Sequence, residues 1–386
     1  MVNSDTLVPK EGWFSQNEYQ RRLTAVRAAL DERNLRGAVF FSPENACYLT
    51  GHHSIDSWEF RAMIITQEQD PVLLLYSFER GRFLASSWLK EACFHGPGAD
   101  PMASLAKLIA DLGLGGEPLG VEQSRSQLNL AEWQRLKETL GAVCWIPVDG
   151  LVERVRLRKS SEELQCIRQA ARFTLAGMQA AGRLIREGVF DHEIAAAAVH
   201  EMLRQGSDNF VMMPTVAVGY RSGLSHSAHG HIAVRPGDAV FVELSGCCRH
   251  YSAPLMFTTT LGSPPSEWKE LFDVAHETAE TIIRVARPGV PACEVAQAAL
   301  RVIQPIEQRI EFHYNFGYSL GISFPPHWLE DSHFYLKTNN PSPLESGMVF
   351  HAPLTMRVLG KYAAGTSCTF VITEQGSEVL TSGAGE

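Results

Sequence analysis

Histidine is the residue type whose placement could most directly support chemistry in this sequence. Nine of the 14 histidines lie at or after His226, so the second half of the chain is enriched in side chains that bind metal ions or transfer protons near neutral pH. His229 and His231 have the spacing of a chelating pair, although loop histidines are more often solvated. Glu243 ends the apolar strand 239–242, where a carboxylate needs a partner. Taken alone, the histidine enrichment suggests a metal site.

The composition limits the class of protein. The 386 residues are 45% hydrophobic and 20% charged, with a net charge of −9, which is typical of a globular protein of two or three domains. This balance excludes disordered and collagen-like chains, and it argues against a nucleic-acid or anionic-membrane surface. We find no secretory signal, no membrane-length apolar run and no C-x-x-C pair among eight cysteines. We therefore expect a cytoplasmic protein with reduced thiols and no membrane partner.

The first 155 residues predict an α/β lobe, because helical patterns and short apolar strands alternate along them. The predicted helices are 18–33, 103–112 and 130–140, and the predicted strands are 38–41, 63–65, 71–76 and 119–121. Neither a G-x-G-x-x-G motif nor a P-loop occurs. Nucleotide binding therefore has no motif support.

The chain changes character between residues 151 and 161, and we place the domain boundary there, giving domains 1–155 and 156–386. Ser160 and Glu163 form a predicted capping box at the start of a long helix. The predicted helices are 163–187, 191–204, 266–286 and 293–308, and the predicted strands are 215–218, 239–244, 257–261, 348–354 and 368–373. Two helices, strands, two more helices and strands indicate an α+β lobe with a pseudo-repeat.

The C-terminal lobe resembles the pita-bread family of creatinases, prolidases, aminopeptidase P and methionine aminopeptidases. Five landmarks occur in the family's order: Arg156-Leu157-Arg158-Lys159-Ser160 with Glu163, Arg235-Pro236-Gly237-Asp238 before Val240-Phe241-Val242-Glu243, Arg287-Pro288-Gly289, Gly347-Met348-Val349-Phe350, and Val371-Ile372-Thr373-Glu374-Gln375-Gly376. The resemblance covers residues 15–380 and implies an α/β N-terminal lobe followed by a pita-bread catalytic lobe.

The resemblance also implies where metal ligands would lie, and most of these positions are changed. Peptidases of the family hold two metal ions with two Asp, one His and two Glu. At the corresponding positions this chain has Glu243, Pro254, Tyr318, Pro353, and Ser367 or Cys368. A single carboxylate should not hold hard divalent ions, which take several oxygen ligands. We therefore expect no metal and no other cofactor.

The members of the family that work without metal are creatinase and the creatinase-like hydrolases, including ectoine hydrolase, and the sequence is most similar to that branch. Two segments favour the ectoine hydrolase side. They are 243–255, which contains Glu243 and Tyr251, and 317–328, which contains the Pro325-Pro326 turn. His327 departs from the acidic residue expected in ectoine hydrolases.

In the resemblance, His226 corresponds to the substrate-facing histidine that acts as general acid and base in creatinase. This role suits C–N hydrolysis, because imidazole can take a proton from water and return it to the leaving nitrogen. Glu243 would contact a cationic amidine or guanidinium, attack it, or activate water. The structural alternatives are a histidine bonded to backbone and a salt bridge from Glu243 to Arg249.

Further candidates lie near these two residues. His351 is two residues before Pro353, so strand periodicity places both on one face, towards the former metal site. Tyr318 could donate a phenolic hydrogen bond, and Tyr251 and His327 are candidate substrate-binding residues. An ordinary half-buried polar residue is the structural alternative for each.

The resemblance implies a homodimer in which an N-terminal loop covers the partner's active site. The corresponding loop is 51–61. Trp58 and Phe60 could form an apolar or cation–π wall, and Arg61 could bind a substrate carboxylate. The alternative is a loop packed by its own tryptophan.

These observations lead to one expected function and two alternatives. We expect a metal-independent hydrolase that cleaves a C–N bond in a small cyclic amidine or guanidino acid, with His226, Glu243 and His351 as catalytic residues. The alternatives are an Xaa-Pro-type metallopeptidase with unusual ligands and a non-catalytic pita-bread binding module. A cleft filled by Met256 and Phe257 would favour the binding module.

Overall fold

The structure, a computed structural model, describes residues 8–55, 59–123, 128–330 and 334–382. Trp58 of the predicted dimer loop lies outside these residues. The chain divides into two compact units, Met1–Val155 and Arg156–Glu386. Within the described ranges, no helix combines the length and apolar character that crossing a bilayer requires.

The N-terminal unit is built on one mixed, six-stranded sheet in the order β4-β3-β2-β1-β5-β6. The strands are β1 (Gly37–Phe40), β2 (Ala62–Thr66), β3 (Val72–Tyr76), β4 (Cys93–His95), β5 (Pro118–Val121) and β6 (Cys144–Pro147), and the helices are α1 (Gln16–Asp31), α2 (Pro43–Thr50), α3 (Arg80–Ser86), α4 (Pro101–Asp111), α5 (Leu130–Thr139) and α6 (Leu151–Arg156). Apolar side chains of α4 pack with those of the central strands in one buried cluster. The α/β prediction is confirmed.

The helices of the C-terminal unit are α7 (Ser161–Leu184), α8 (Asp191–Arg204), α9 (Ser266–Val285) and α10 (Ala292–Ile303). The predicted capping box is present, with the Ser160 hydroxyl accepting from the Glu163 N–H and the Glu163 carboxylate accepting from the Ser160 N–H. The last helix ends earlier than predicted, and Gln304–Arg309 form a 3₁₀ helix instead. Pro305 explains the change, since it lacks an N–H and its ring disrupts a continuing α-helix.

A seven-stranded antiparallel sheet forms the centre of the C-terminal unit, in the order β12-β13-β14-β11-β8-β7 with β15 beside β14. The strands of this unit are β7 (Thr215–Val218), β8 (Ala239–Leu244), β9 (Cys247–Cys248), β10 (Tyr251–Ser252), β11 (Leu255–Thr260), β12 (Tyr318–Ser319), β13 (Val349–Val358), β14 (Tyr362–Thr373) and β15 (Gly376–Val379). Two buried apolar clusters join the sheet to the helices, one with α9 and α10 and the other with α7 and α8. The α+β prediction is confirmed.

The β13–β14 hairpin is longer than the sequence predicted. The predicted strands stopped at residue 354 and began again at 368, whereas the observed pairing continues to Val358↔Tyr362 across the turn 359–361. Gly360 allows this tight turn with φ of 70°, a conformation that glycine adopts without steric cost. The extension places Arg357 on the same face as His351, because alternate residues of a strand share a face.

Candidate active site

The sheet of the C-terminal unit brings candidate residues from four strands into one row. Glu243 on β8 is opposite Met256 on β11, and Ser367 on β14 is opposite Pro353 on β13. The Phe257↔Thr366 pairing sets the register between β11 and β14 and places Met256 beside Ser367. All four side chains therefore lie on one face of the sheet, which we call the site face. The neighbouring residues of β8 point the other way, into the apolar cluster with α7 and α8. The strand register therefore assembles the site.

The same register answers two questions that the sequence left open. Ser367, and not Cys368, lies on the site face, since Cys368 belongs to the apolar cluster with α9 and α10. Met256 also lies on the site face. Phe257 lies on the other face of the sheet, where it packs with the apolar cluster of α7 and α8. Only one of the two side chains that could have filled the cleft thus faces it.

A chain of hydrogen bonds connects three residues of the site face with a tryptophan. The Trp328 indole N–H donates to the Tyr318 hydroxyl at 2.8 Å. The Tyr318 hydroxyl lies 2.6 Å from His351 Nδ1, and His351 Nε2 lies 2.8 Å from Ser367 Oγ. Ser367 Oγ also accepts from the Met256 backbone N–H at 2.6 Å. We call Trp328, Tyr318, His351 and Ser367 the Tyr318–His351 chain.

The Tyr318–His351 chain is uncharged. Burial lowers the pKa of His351 to about 3, with a smaller contribution from nearby His313. Burial, and next the negative charge of Glu243, raise the pKa of Tyr318 above its ordinary value. A neutral imidazole donates from one nitrogen and accepts at the other, so one of the Tyr318 and Ser367 hydroxyls donates to His351 and the other accepts. The chain fixes the Tyr318 hydroxyl within electrostatic range of Glu243.

Glu243 is a half-buried carboxyl with an unusual proton affinity. Desolvation raises its pKa to about 7, and the positive charge of Arg357 opposes this shift only in part. Within the part of the chain that the structure describes, no Arg, Lys or His nitrogen lies within 4.0 Å of its carboxylate oxygens. The salt bridge to Arg249, which was the structural alternative for Glu243, is not formed between these described residues. The Glu243 carboxyl can therefore gain or lose a proton near neutral pH.

The raised pKa of Glu243 predicts a pH-dependent stability. Between about pH 4.5 and about pH 7 the folded state holds a proton that the unfolded carboxyl has released, so this contribution to stability falls as pH rises through that window. We expect the unfolding free energy of the wild type, relative to Glu243→Gln, to fall by about 1–3 kcal/mol from about pH 5 to about pH 8. Urea unfolding at both pH values measures this, with Glu277→Gln, an exposed site, as the control. A pH-independent difference would contradict the assignment.

Arg357 is the cation whose positive charge lowers the pKa of Glu243, and the sequence prediction missed it. Its Nη1 donates to the Ser222 carbonyl, and its guanidinium lies 4.7 Å from the centre of the Phe241 ring. Its backbone pairs with Glu311. The period-two argument that placed His351 and Pro353 on one face would have reached Arg357 if the strand had been extended. The missing information was the length of the hairpin.

His226 and His313 lie at the edge of the site on two separate loops. His226 is exposed and has φ of 54°, a left-handed conformation uncommon for residues other than glycine. The pKa of His313 is lowered to about 4 by desolvation and by the Arg357 cation, with a smaller effect of His226. The Asn315 N–H donates to His313 Nδ1 at 3.0 Å. His226, His313 and Arg357 therefore belong to one electrostatic neighbourhood; the sequence left His313 unassigned.

A buried ion pair anchors the segment that carries His327 and Trp328. Lys159 donates to Glu330 at 2.5 Å, with both side chains fully buried, and Arg156 lies 3.7 Å from the same carboxylate. Burial lowers the pKa of Lys159 and raises that of Glu330. A Cβ at Gly321 would overlap the Glu330 carboxylate, so only glycine permits this approach. The ion pair thereby supports the position of Trp328 in the Tyr318–His351 chain.

The remaining predicted substrate-binding residues are described by their own contacts within each unit. Tyr251 is fully buried, and its hydroxyl donates to Glu163 at 2.8 Å, so it is engaged with α7. His327 is exposed beside the Pro325-Pro326 turn. In the N-terminal unit, Phe60 packs 6.1 Å from Phe41, and Arg61 is buried. Their roles in ligand binding and across a homodimer stay predictions.

The residues at the implied metal positions do not fit a pair of divalent ions. Glu243 is the one carboxylate, the two prolines offer no side-chain donor, and Tyr318 and Ser367 are hydrogen-bonded to His351. A guanidinium, Arg357, acts on the same carboxylate. Across the described ranges, no three His, Cys, Asp or Glu side chains are grouped to hold a metal ion. These side chains are hydrogen-bond donors and acceptors rather than a set of ligands for divalent ions.

Comparison with known families accounts for both units. Residues 165–374 match the model of metallopeptidase family M24. Residues 22–158 match the creatinase/prolidase N-terminal domain. Together these matches cover most of the chain.

Individual relatives differ in the activity that their names state. An ectoine hydrolase of Halomonas elongata is 26% identical over 397 residues, covering 95% of this chain and 96% of that protein. An Xaa-Pro dipeptidase of Pyrococcus horikoshii is 26% identical over 261 residues, covering 68% of this chain and 69% of that protein. The prolidase structure from Pyrococcus horikoshii superposes with a TM-score of 0.81 at 22% identity, covering 94% of this chain and 98% of that one. At that identity, the structural similarity concerns the fold alone.

Proposed function

Because this chain belongs to metallopeptidase family M24, a family of hydrolases with the pita-bread fold, we propose that it is a hydrolase that has exchanged metal chemistry for proton transfer. Its proposed substrate is a small cyclic amidine or guanidino acid, in which it cleaves a C–N bond. The observation that carries the proposal is Glu243, a carboxyl with a pKa of about 7 beside a guanidinium and the Tyr318–His351 chain.

The proposed reaction needs one water molecule and one proton shuttle. His226 takes a proton from water as its oxygen bonds to the amidine or guanidine carbon, and His226 returns this proton to the leaving nitrogen as the C–N bond breaks. The second water proton leaves the new hydroxyl as the C=O bond forms and is taken up by the freed amine, which departs as an ammonium group. Glu243 accepts a hydrogen bond from the N–H groups of the cationic substrate. Such a cation stabilises the ionised carboxylate and lowers the raised pKa of Glu243 on binding.

Tyr318 and His351 have separate parts in this proposal. Tyr318, which is within electrostatic range of Glu243, donates its O–H to the substrate. In this arrangement His351 Nδ1–H donates to the Tyr318 hydroxyl, and Ser367 Oγ–H donates to His351 Nε2. His351 is fully buried, with both ring nitrogens hydrogen-bonded. We therefore assign it a positioning role that acts through the Tyr318 hydroxyl.

Two other functions are less well supported. The similarity to a relative named Xaa-Pro dipeptidase favours a metallopeptidase. Glu243, however, is the single carboxylate at the implied ligand positions, where a metallopeptidase needs several. A non-catalytic binding module would suit a cleft closed by apolar side chains. Of the two candidates for such filling, only Met256 lies on the site face.

A substrate screen without metal tests the proposed function. Purified protein, treated with EDTA and dialysed, is incubated with ectoine, hydroxyectoine, creatine and Xaa-Pro dipeptides, and the products are identified by mass spectrometry. We expect hydrolysis of an amidine or guanidino acid at an unchanged rate after EDTA, since no step requires a metal ion. Cleavage of an Xaa-Pro dipeptide that EDTA abolishes and Mn²⁺ or Zn²⁺ restores would overturn the proposal.

A further inference from the structure

Arg357 is a partly desolvated cation held in a fixed position on the site face. Protein atoms around it lower the pKa of its guanidinium, and the negative charge of Glu243 opposes this shift. The Phe241 ring and the Ser222 carbonyl hold the guanidinium from two sides. The pairing of its backbone with Glu311 fixes the end of β13. The head group is therefore preorganised, which reduces the entropy lost when it binds a ligand.

Most of the hydrogen-bonding capacity of Arg357 remains available. Within the described ranges, the Ser222 carbonyl is the one hydrogen-bond acceptor of the guanidinium, and no carboxylate lies within 4.0 Å of it. A guanidinium has several N–H donors in a planar fork that matches the two oxygens of a carboxylate. The arrangement leaves that fork without a protein carboxylate.

A second cation, Lys337, acts on the same neighbouring histidine as Arg357. Lys337 and Arg357 both act electrostatically on His313, and His226 contributes to the same neighbourhood. Lys337 is held 4.6 Å from the centre of the Tyr335 ring. Glu243 is the acidic group that acts on Arg357. An anionic ligand group would be attracted to Arg357 and Lys337.

We propose that Arg357 binds the carboxylate of the substrate while Glu243 binds its cationic C–N group. This inference rests on the proposed function and makes a carboxylate on the substrate a requirement for recognition, for cyclic amidines as well as for guanidino acids. Arg357 and Glu243 would then recognise opposite ends of one small molecule. Neutral amides and purely cationic amidines would bind weakly. The competing view is that Arg357 serves only as a counter-charge to Glu243.

Binding measurements with matched probes separate these views. Isothermal titration calorimetry compares ectoine with 2-methyl-1,4,5,6-tetrahydropyrimidine, the same cyclic amidine without the carboxylate, on wild type, Arg357→Gln and Arg357→Lys. We expect the wild type to favour ectoine by roughly 10- to 100-fold, and Arg357→Gln to lose that preference. Arg357→Lys should keep part of it, because lysine keeps the charge but not the fork. Arg309→Gln, at an exposed arginine paired with Glu270, is the control.

A second measurement distinguishes failure of this inference from failure of the proposed function. The melting temperature is recorded with formate, acetate and chloride at equal ionic strength, and circular dichroism checks the fold of each variant. If formate and acetate raise the melting temperature of the wild type but not of Arg357→Gln, Arg357 binds carboxylates. This result supports the inference even if no amidine binds or is hydrolysed. A wild type that shows neither a preference for ectoine nor stabilisation by carboxylates would overturn it. So would an Arg357→Gln variant that keeps either effect.

Discussion

Replacement of His226 by asparagine is expected to lower kcat for amidine or guanidine hydrolysis by about 10²- to 10⁴-fold, the usual contribution of a general acid–base group. The fold should survive, because His226 is exposed and asparagine tolerates the left-handed backbone at this position. Steady-state kinetics on the substrate identified by the screen, together with circular dichroism, measure both effects.

The chain offers a closely matched control for this variant. His231 is also exposed and has the same φ of 54°, so His231→Asn makes the same chemical change on the same kind of backbone. We expect His231→Asn to keep nearly full activity. Equal losses in both variants would show a general effect on the loops, and an unchanged kcat in His226→Asn would place the base elsewhere.

Replacement of Lys159 by methionine is expected to lower the free energy of unfolding by about 3–5 kcal/mol, because it leaves the buried Glu330 carboxylate without its closest cation. Lys159 and Glu330 are both fully buried, so water cannot substitute for the lost partner. Urea unfolding followed by tryptophan fluorescence measures the change as a shift of the midpoint.

An exposed ion pair of similar geometry provides the comparison. Lys269 lies 2.6 Å from Asp273 on the surface of α9, and Lys269→Met should change the stability by less than about 1 kcal/mol. A loss of less than about 1 kcal/mol in Lys159→Met would mean that the buried ion pair stabilises the fold no more than an exposed pair does.

Local sequence signals were sufficient for much of the fold. Ser160 and Glu163 are three residues apart, and their capping box is a local interaction that forms wherever a helix begins with this pattern. The α/β and α+β lobes followed from hydrophobic periodicity, which reports on one element at a time. The family landmarks, in order along the chain, pointed to the pita-bread fold that the comparisons bear out. All these signals are short-range or sequential.

The site depended on contacts that no local pattern encodes. The extent of the β13–β14 hairpin decides whether Arg357 lies on the site face, and it is set by pairing along the whole ladder. The bond between His351 and Tyr318 joins residues 33 positions apart, and the Lys159–Glu330 bond spans 171. Tyr251, a candidate for binding substrate, instead donates to Glu163 across 88 positions. Such pairings depend on where whole elements pack.

The sequence by itself therefore determined the fold and the unusual character of the site, because residue identities alone reveal that Glu243 is accompanied by two prolines and a tyrosine where metal ligands are implied. Only the tertiary structure decided how these residues work together. Strand register selected Ser367 over Cys368 and placed Arg357 with Glu243. Burial then shifted the proton affinities of Glu243 and His351. Proton affinity depends on the desolvation and the charges around a group, and these exist only once distant strands have packed together.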